Sequence, residues 1–369
     1  MKKADPVVRV GVIGLGFMGA THVGAYLAAA RDGLPCALAA VCDTKESRRR
    51  GIFSDVGGNI GDAAGDAPAF DPAHVRAYAN PDELLADRGV DLVSICTHTD
   101  THVDIAARAL RAGKHVLVEK PVALNVDDVR RLRDVARQSS RLCMPAMCMR
   151  FWPAWAWLKD RIDDGSLGRC TALTLTRLGA SPAWGRAFYG ELDRSGGALV
   201  DLHVHDADFV YHCFGRPAAV FSVGDLTHVT TCYDFAKTGP VPVFPAAKTG
   251  TAAKTGTGPV FPGHVVAEGA WLAPGSAFRM RYVAQFDGAT VDYDLGRADQ
   301  LLLCRDGRAE PIEVSKLLGY DEEVRHLIGA IARGAGEDHL RATLDDAVAV
   351  TEMLDAERAS TERRQPVEL

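Results

Sequence analysis

The stretch Val7–Ala30, VVRVGVIGLGFMGATHVGAYLAAA, decides the fold. Its opening, Val7–Ile13, is rich in β-branched residues and reads as a buried strand. Gly14, Gly16 and Gly19 follow, and from Phe17 onward the composition is helical. The first glycine of such a spacing makes a tight turn. The second lets the backbone approach a ligand closely, and the third lets helix and strand pack together. The exposed N–H groups and positive dipole end of the helix then face one point, which suits a phosphate. Gly14, Gly16, Phe17, Met18 and Gly19 are therefore candidate contacts for a dinucleotide. The next strand, CALAAVCD, ends on Asp43. An acid there accepts hydrogen bonds from ribose hydroxyls and repels a 2′-phosphate. NAD is the expected cofactor, with NADP the alternative because Lys45 and Arg48 lie close by.

Strand and helix patterns keep alternating after this unit. PDELLAD reads as a short helix, VDLVSICT as a buried strand, THVDIAARALRAG as a helix ending on Gly113, and HVLVEKP as the next strand. Asn125 is placed to cap VDDVRRLRDVARQ, and RLCMPAMCM is a last strand. Doubly apolar strands alternating with helices predict a parallel sheet covered on both faces. From about Phe151 the character changes. CTALTLTRL alternates as a half-exposed strand, and SGGALVDLHVHDADFVYHCFG reads as a helix. Six strand patterns then follow without helices between them, which predicts an open, mostly antiparallel sheet. The fold class is thus α/β, a dinucleotide-binding domain over 1–148 and a second α+β domain over 149–320. Residues 321–369 form C-terminal helices. A Gly-, Pro-, Thr- and Ala-rich stretch that repeats AAKTGT and VFP is expected to be a flexible insertion at about 236–263.

Bulk properties exclude several classes. The chain has 369 residues, 47% of them hydrophobic, which suits two globular domains. A net charge of −6 argues against a nucleic-acid partner. No apolar run reaches the length of a membrane span. Nine cysteines without a C-x-x-C pair look like free thiols, and the N-terminus lacks a signal-peptide pattern, so a cytoplasmic location is expected.

The run HVLVEKPVALN raises a separate question, because a buried strand ends on Glu119, Lys120 and Pro121. Ligands of an open parallel sheet bind beyond the carboxyl ends of its strands. Lys120 lies at such an end, on the same rim as the glycine turn, where it can face a cofactor's reactive end. Pro121 stops the strand and stiffens the backbone beneath the lysine.

Three regions, GVIGLGFMGATH, CTHTDTHVDIAARALRAGKHVLVEKP and GGALVDLHVHDADFVYHCFG, resemble the signatures of the Gfo/Idh/MocA oxidoreductases. The resemblance extends over nearly the whole chain. It implies a Rossmann domain, a second domain with an open sheet, and hydride transfer between NAD(P) and a hydroxyl of a sugar, polyol or related compound. It also implies that the last helices return to the nucleotide domain. By the same resemblance Lys120 matches the catalytic lysine and Glu119 its neighbour near the nicotinamide. Asp201 and His205 match a pair that faces the reacting hydroxyl. Residues i and i+4 share one helix face, so Asp201 is expected to orient His205 as the general base. Thr97, Thr99 and His102 follow the fourth strand, where the family lines its cofactor groove. Arg150 is a candidate substrate contact, with a domain-interface ion pair as the alternative.

His203 and the acidic residues Asp206 and Asp208 depart from the family pattern. His203 is a candidate substrate contact or a packed polar residue. Two rival functions stay open: a non-catalytic dinucleotide-binding sensor, and a metal-dependent hydrolase that uses DLHVHD. No metal is expected. The tryptophans at 152, 155 and 157 read as helix packing. An open sheet leaves a face for a second copy, so a homodimer or homotetramer is expected.

Overall fold

The computed structural model of the chain describes residues 6–58, 67–235 and 263–369. The repetitive insertion, apart from Gly263, and much of the Gly57–Asp71 excursion lie outside the described residues. The first layer is built from β1 (Val8–Ile13), α1 (Phe17–Arg31), β2 (Cys36–Cys42), α2 (Glu46–Arg49), β3 (Arg76–Tyr78), α3 (Pro81–Ala86), β4 (Leu92–Ile95), α4 (Thr99–Arg111), β5 (His115–Val118), α5 (Val126–Arg137) and β6 (Cys143–Pro145). Its strands are all parallel, in the order β3-β2-β1-β4-β5-β6. That is the doubly wound dinucleotide order, with the reversal point at β1 and β4. β4 is buried along its whole length, which is why it carries only Leu, Val, Ser and Ile. Side-chain caps set two helix starts: Asn80 accepts from the Asp82 N–H, and Asn125 from the Asp128 N–H.

The second layer follows a 3-10 turn at Cys148–Arg150 and α6 (Pro153–Asp164). β7 (Cys170–Ala180) leads to the short helices α7 (Arg186–Tyr189), α8 (Leu192–Ser195) and α9 (Gly197–Asp201), and then to α10 (Val204–Phe214). The strands β8 (Ala219–Gly224), β9 (His228–Asp234), β10 (His264–Leu272), β11 (Arg279–Phe286), β12 (Thr290–Asp294), β13 (Leu301–Arg305) and β14 (Arg308–Pro311) come next. The chain ends in α11 (Gly319–Ala332), α12 (Leu344–Arg363) and β15 (Val367–Glu368). Among the described residues these strands form one sheet, β14-β13-β12-β11-β7-β10-β9-β8-β15, antiparallel except between β7 and β10.

One predicted detail is corrected and another qualified. The segment from Ser195 to Gly215 is not one helix but breaks into α9 and α10, with Leu202 and His203 between them. The start of α9 is fixed upstream. Gly196 and Gly197 both take left-handed backbone, and a Cβ on Gly197 would stand 2.2 Å from the Leu226 carbonyl oxygen. The close approach lets Leu199 N–H donate to Leu226 O and pins α9 to the β8–β9 turn. Second, although the sheet is mostly antiparallel as expected, β7 and β10 pair in parallel.

Helix α11 packs on α1. Val324, Leu327 and Ile328 of α11, with Leu344 and Ala347 of α12, share a core with Val10, Val12 and Ile95. Farther along α12, Met353 and Ala356 join the second core, around Trp155, Phe209 and Tyr282. The C-terminal helices therefore touch both layers. Among the described residues, no helix is long and apolar enough to cross a membrane.

Candidate active site

The glycine turn has the geometry its spacing demands. Gly14 sits at φ +84°, and a Cβ there would meet Cys96 O at 2.7 Å. A Cβ on Gly19 would fall 1.8 Å from Gly14 O, so helix and strand touch backbone to backbone. Gly16 has open space around it, leaving its backbone free for a ligand's approach. Asp43 ends β2 beside this turn. Its Oδ2 accepts from Leu15 N–H at 2.7 Å and its Oδ1 from Lys45 N–H at 2.8 Å. Lys45 and Arg48 turn to Asp55, at 2.7 and 3.0 Å, and hold its carboxyl at about 2. The turn and the fixed acid fit a dinucleotide without a 2′-phosphate. Asp43→Asn removes a charged acceptor and is expected to weaken NADH binding about 10-fold. Quenching of NADH fluorescence measures it, and unchanged affinity would remove Asp43 from the ribose contact.

Thr97 and Thr99 stand where β4 gives way to α4. Thr97 Oγ1 accepts from Thr101 Oγ1, and Thr99 is buried. His102 is corrected from a cofactor contact to a tie between loops. It is buried, and its Nδ1 and Nε2 lie 2.9 and 3.0 Å from the carbonyls of Pro121 and Thr97. Both ring nitrogens are therefore engaged by backbone, and desolvation lowers its pKa.

Lys120, Asp201 and His205 converge on one cavity, lined also by Phe17, Met18 and Glu119 at the mouth of the glycine turn. The Lys120–Pro121 peptide is cis. Lys120 Nζ donates to Asp201 O at 2.8 Å and lies 3.3 Å from Asp201 Oδ1. Asp201 thus holds the lysine, not the imidazole. The helix break after Asp201 removes the i, i+4 relation on which the expected pairing rested. His205 Nδ1 instead lies 3.8 Å from Cys148 Sγ. Desolvation, then the charges of Lys120 and Arg177, pushes His205 well below the ordinary imidazole value.

Two candidate substrate contacts are also corrected. Arg150 is 3% exposed and forks onto Asp208 at 2.7–3.1 Å, with Asp346 and Arg341 O at 2.8 Å. It joins the 3-10 turn to α10 and α12. His203 is fully buried, with Nε2 2.9 Å from Glu357 and 3.1 Å from the Tyr233 hydroxyl. Because His203 and His205 face different partners, DLHVHD does not converge as a metal-binding pair. The only side chains among the described residues grouped at metal-ligand distances are His22, Cys96 and Glu119. Cys96 faces Nδ1 of His22 at 3.6 Å and Glu119 faces Nε2 at 3.0 Å, so opposite edges of the ring are used.

Sequence reasoning missed Cys148, Arg177, Tyr189 and Tyr320 as lining residues; Trp152, read as helix packing in preference to a sugar platform, lines the cavity too. Arg177 carried a legible signal. On β7 it shares the inward face with Leu173 and Leu175, where a charge is out of place. Asp206 binds its Nε and Nη2 at 3.1 and 2.9 Å, and Trp155 lies under the guanidinium. Cys148, Tyr189 and Tyr320 come from separate elements and carry no such mark. Trp155 is core as expected.

Residues 8–147 match the family described as the GFO/IDH/MocA oxidoreductase family, NAD-binding Rossmann fold, and residues 155–256 match the GFO/IDH/MocA C-terminal domain. The chain is 29% identical over 223 residues to myo-inositol 2-dehydrogenase of Thermotoga maritima, covering 59% of each chain. It is 34% identical over 138 residues to scyllo-inositol 2-dehydrogenase (NAD(+)) of Bacillus subtilis, covering 37% of this chain and 39% of that one. The matched stretches thus span well under two thirds of these relatives' own lengths. A solved structure of levoglucosan dehydrogenase with NADH and levoglucosan superposes with a TM-score of 0.75 at 20% identity, over 98% of this chain and 99% of that one. At that identity the likeness is one of fold.

Proposed function

Because the chain belongs to the Gfo/Idh/MocA oxidoreductase family, with an NAD-binding Rossmann domain, we propose that it interconverts a hydroxyl and a keto carbon of a sugar, inositol or related polyol. The observation that carries the reading is the meeting of Lys120, Asp201 and His205 in one cavity at the carboxyl rim of the parallel sheet. NAD, when bound, takes the hydride from the carbon with its electron pair. The protein's own groups handle the proton and the charge on oxygen. Nδ1 of His205 faces Cys148 Sγ at 3.8 Å, and in the tautomer that protonates Nδ1 the Nε2 lone pair accepts the hydroxyl proton. Lys120, fixed by Asp201, offers its ammonium to the oxygen as negative charge develops there. Arg177 brings a further cation to the same wall.

Purified protein incubated with NAD or NADP and a panel of inositols, aldoses and sugar acids tests the reading. Growth of reduced-nicotinamide absorbance with a polyol supports it. No turnover in either direction, despite tight NADH binding, would favour the sensor. The pH dependence supplies a second check. A base with a lowered pKa stays unprotonated until the pH falls through that lower value. The acid limb of kcat/KM for oxidation is therefore expected below the ordinary imidazole value of 6.5. A limb at or above that value would count against His205 as the base.

A further inference from the structure

Four elements bring polar side chains to one buried point beside Lys120. His22 comes from α1, Ser94 from β4, Glu119 from the end of β5 and Glu323 from α11. His22 Nδ1 lies 2.9 Å from Ser94 Oγ, which also meets the Tyr26 hydroxyl at 3.1 Å. His22 Nε2 lies 3.0 Å from Glu119 Oε1 and 3.7 Å from Glu323 Oε1. Glu119 Oε2 accepts from the Lys120 backbone N–H at 3.1 Å. Tyr26, Cys96, His102, Cys148, Tyr189 and Tyr320 are the other titratable groups that face the two acids. His22 Nε2, Glu119 Oε1 and both Glu323 oxygens are buried and out of hydrogen-bond alignment with any described residue.

This arrangement is a poor way to hold a helix. A leucine on α11 would fill the same space, and apolar replacement of buried ionic groups is often neutral or stabilising. Buried polar groups left short of partners call for another reason. Two acids beside one imidazole, without solvent, do not both ionise readily. Burial first, and the Glu119 charge second, push Glu323 well above the usual carboxyl range, which favours its neutral form. Its neighbours link it to both halves of the site. His22 lies one turn past Gly19 on the helix that opens at the glycine turn, and Glu119 holds the Lys120 backbone.

We propose that Glu323 is a positioning residue that keeps the cofactor helix and Lys120 in register, acting through His22 and Glu119. The inference rests on the function proposed above. Three variants test it: Glu323→Leu, Glu323→Gln, and Glu322→Ala as a control at the neighbouring, half-exposed position of α11. NADH affinity reads the helix side and needs no substrate; kcat and KM read the lysine side. Glu323→Leu is expected to bind NADH about 5-fold more weakly. Its kcat should fall about 10-fold or more with substrate KM little changed, as when a reacting group is displaced. Glu323→Gln keeps the shape of the neutral acid and should stay within about 3-fold of wild type on both. Glu322→Ala should change neither.

A folded Glu323→Leu protein with wild-type affinity and kcat overturns the inference. So does Glu323→Gln behaving as badly as Glu323→Leu. Should Glu323→Leu not fold, His22→Asn probes the link from α1: joint loss of affinity and kcat supports it, and loss of affinity alone overturns it. Wild-type protein that fails to bind NADH sinks the proposed function, and this inference with it. Binding shared equally by wild type and Glu323→Leu sinks only the inference.

Discussion

Lys120→Met is expected to cut turnover about 10³-fold while leaving NADH binding intact. Methionine keeps most of the lysine stem and its packing but removes the ammonium. In the wild-type protein that ammonium has two anchors, both from Asp201, and 14% of the side chain is exposed toward the cavity. Among the described residues, the hydrogen bonds of Lys120 Nζ run to Asp201 and not to the glycine turn or Asp43. The loss should therefore fall on kcat and kcat/KM together, as for an interaction made mainly in the transition state. Initial rates of NADH formation and fluorescence quenching separate the two effects. A variant that keeps its rate would remove Lys120 from the chemistry. If no substrate turns over and the variant keeps the full biological activity, the protein is a sensor.

The nucleotide half of the fold was legible because its signals are local. Three glycines at fixed spacing, apolar strands and capped helices each speak for themselves, and the starts of α3 and α5 were marked by Asn and by acids. β3, β14 and β15 escaped because they are short and mostly exposed, with no apolar run like those that marked the equally short β4, β5 and β6. The site was legible in its members but not in its pairings. Lys120, Asp201 and His205 do line one cavity, yet the partner of Asp201 is the lysine 81 positions earlier. A break of two residues between α9 and α10 decided that, and neither Leu202 nor His203 is a residue type that marks a helix end in the sequence. For His203 and Arg150 the packed and ion-paired alternatives are the ones seen, and the sequence left the choice open for a related reason. A polar residue inside a motif looks functional when its buried partner lies far away, as Asp346 does from Arg150 at a separation of 196 positions. Glu323 carried no signal at all, sitting among other acids at the start of α11.

Arg150 supplies the second large effect, and it concerns stability. Arg150→Met is expected to destabilise the protein by about 3–5 kcal/mol, the usual cost of removing one partner from a buried pair. Asp208 is 1% exposed and receives three hydrogen-bond contacts from the guanidinium. Even with that cation beside it, burial raises its pKa above the ordinary carboxyl value. Without the cation the pKa must rise further, and a group raised on folding binds more protons in the native state than in the unfolded one. Stability then falls as pH rises from the ordinary carboxyl pKa towards the raised one. The deficit of Arg150→Met should thus be smaller in mildly acidic buffer than in alkaline buffer. Arg150→Met/Asp208→Asn, which leaves no naked charge at Asp208, should regain part of the loss. Urea midpoints across pH measure all of this. A substrate-binding arginine would behave in the opposite way, with an unchanged midpoint and a raised KM. The network also spans the turn that carries Cys148 against His205, so a partly unfolded variant loses the imidazole's support along with its stability. For that reason kinetics of Arg150→Met are informative only under conditions where the urea curve places the protein fully on its native baseline.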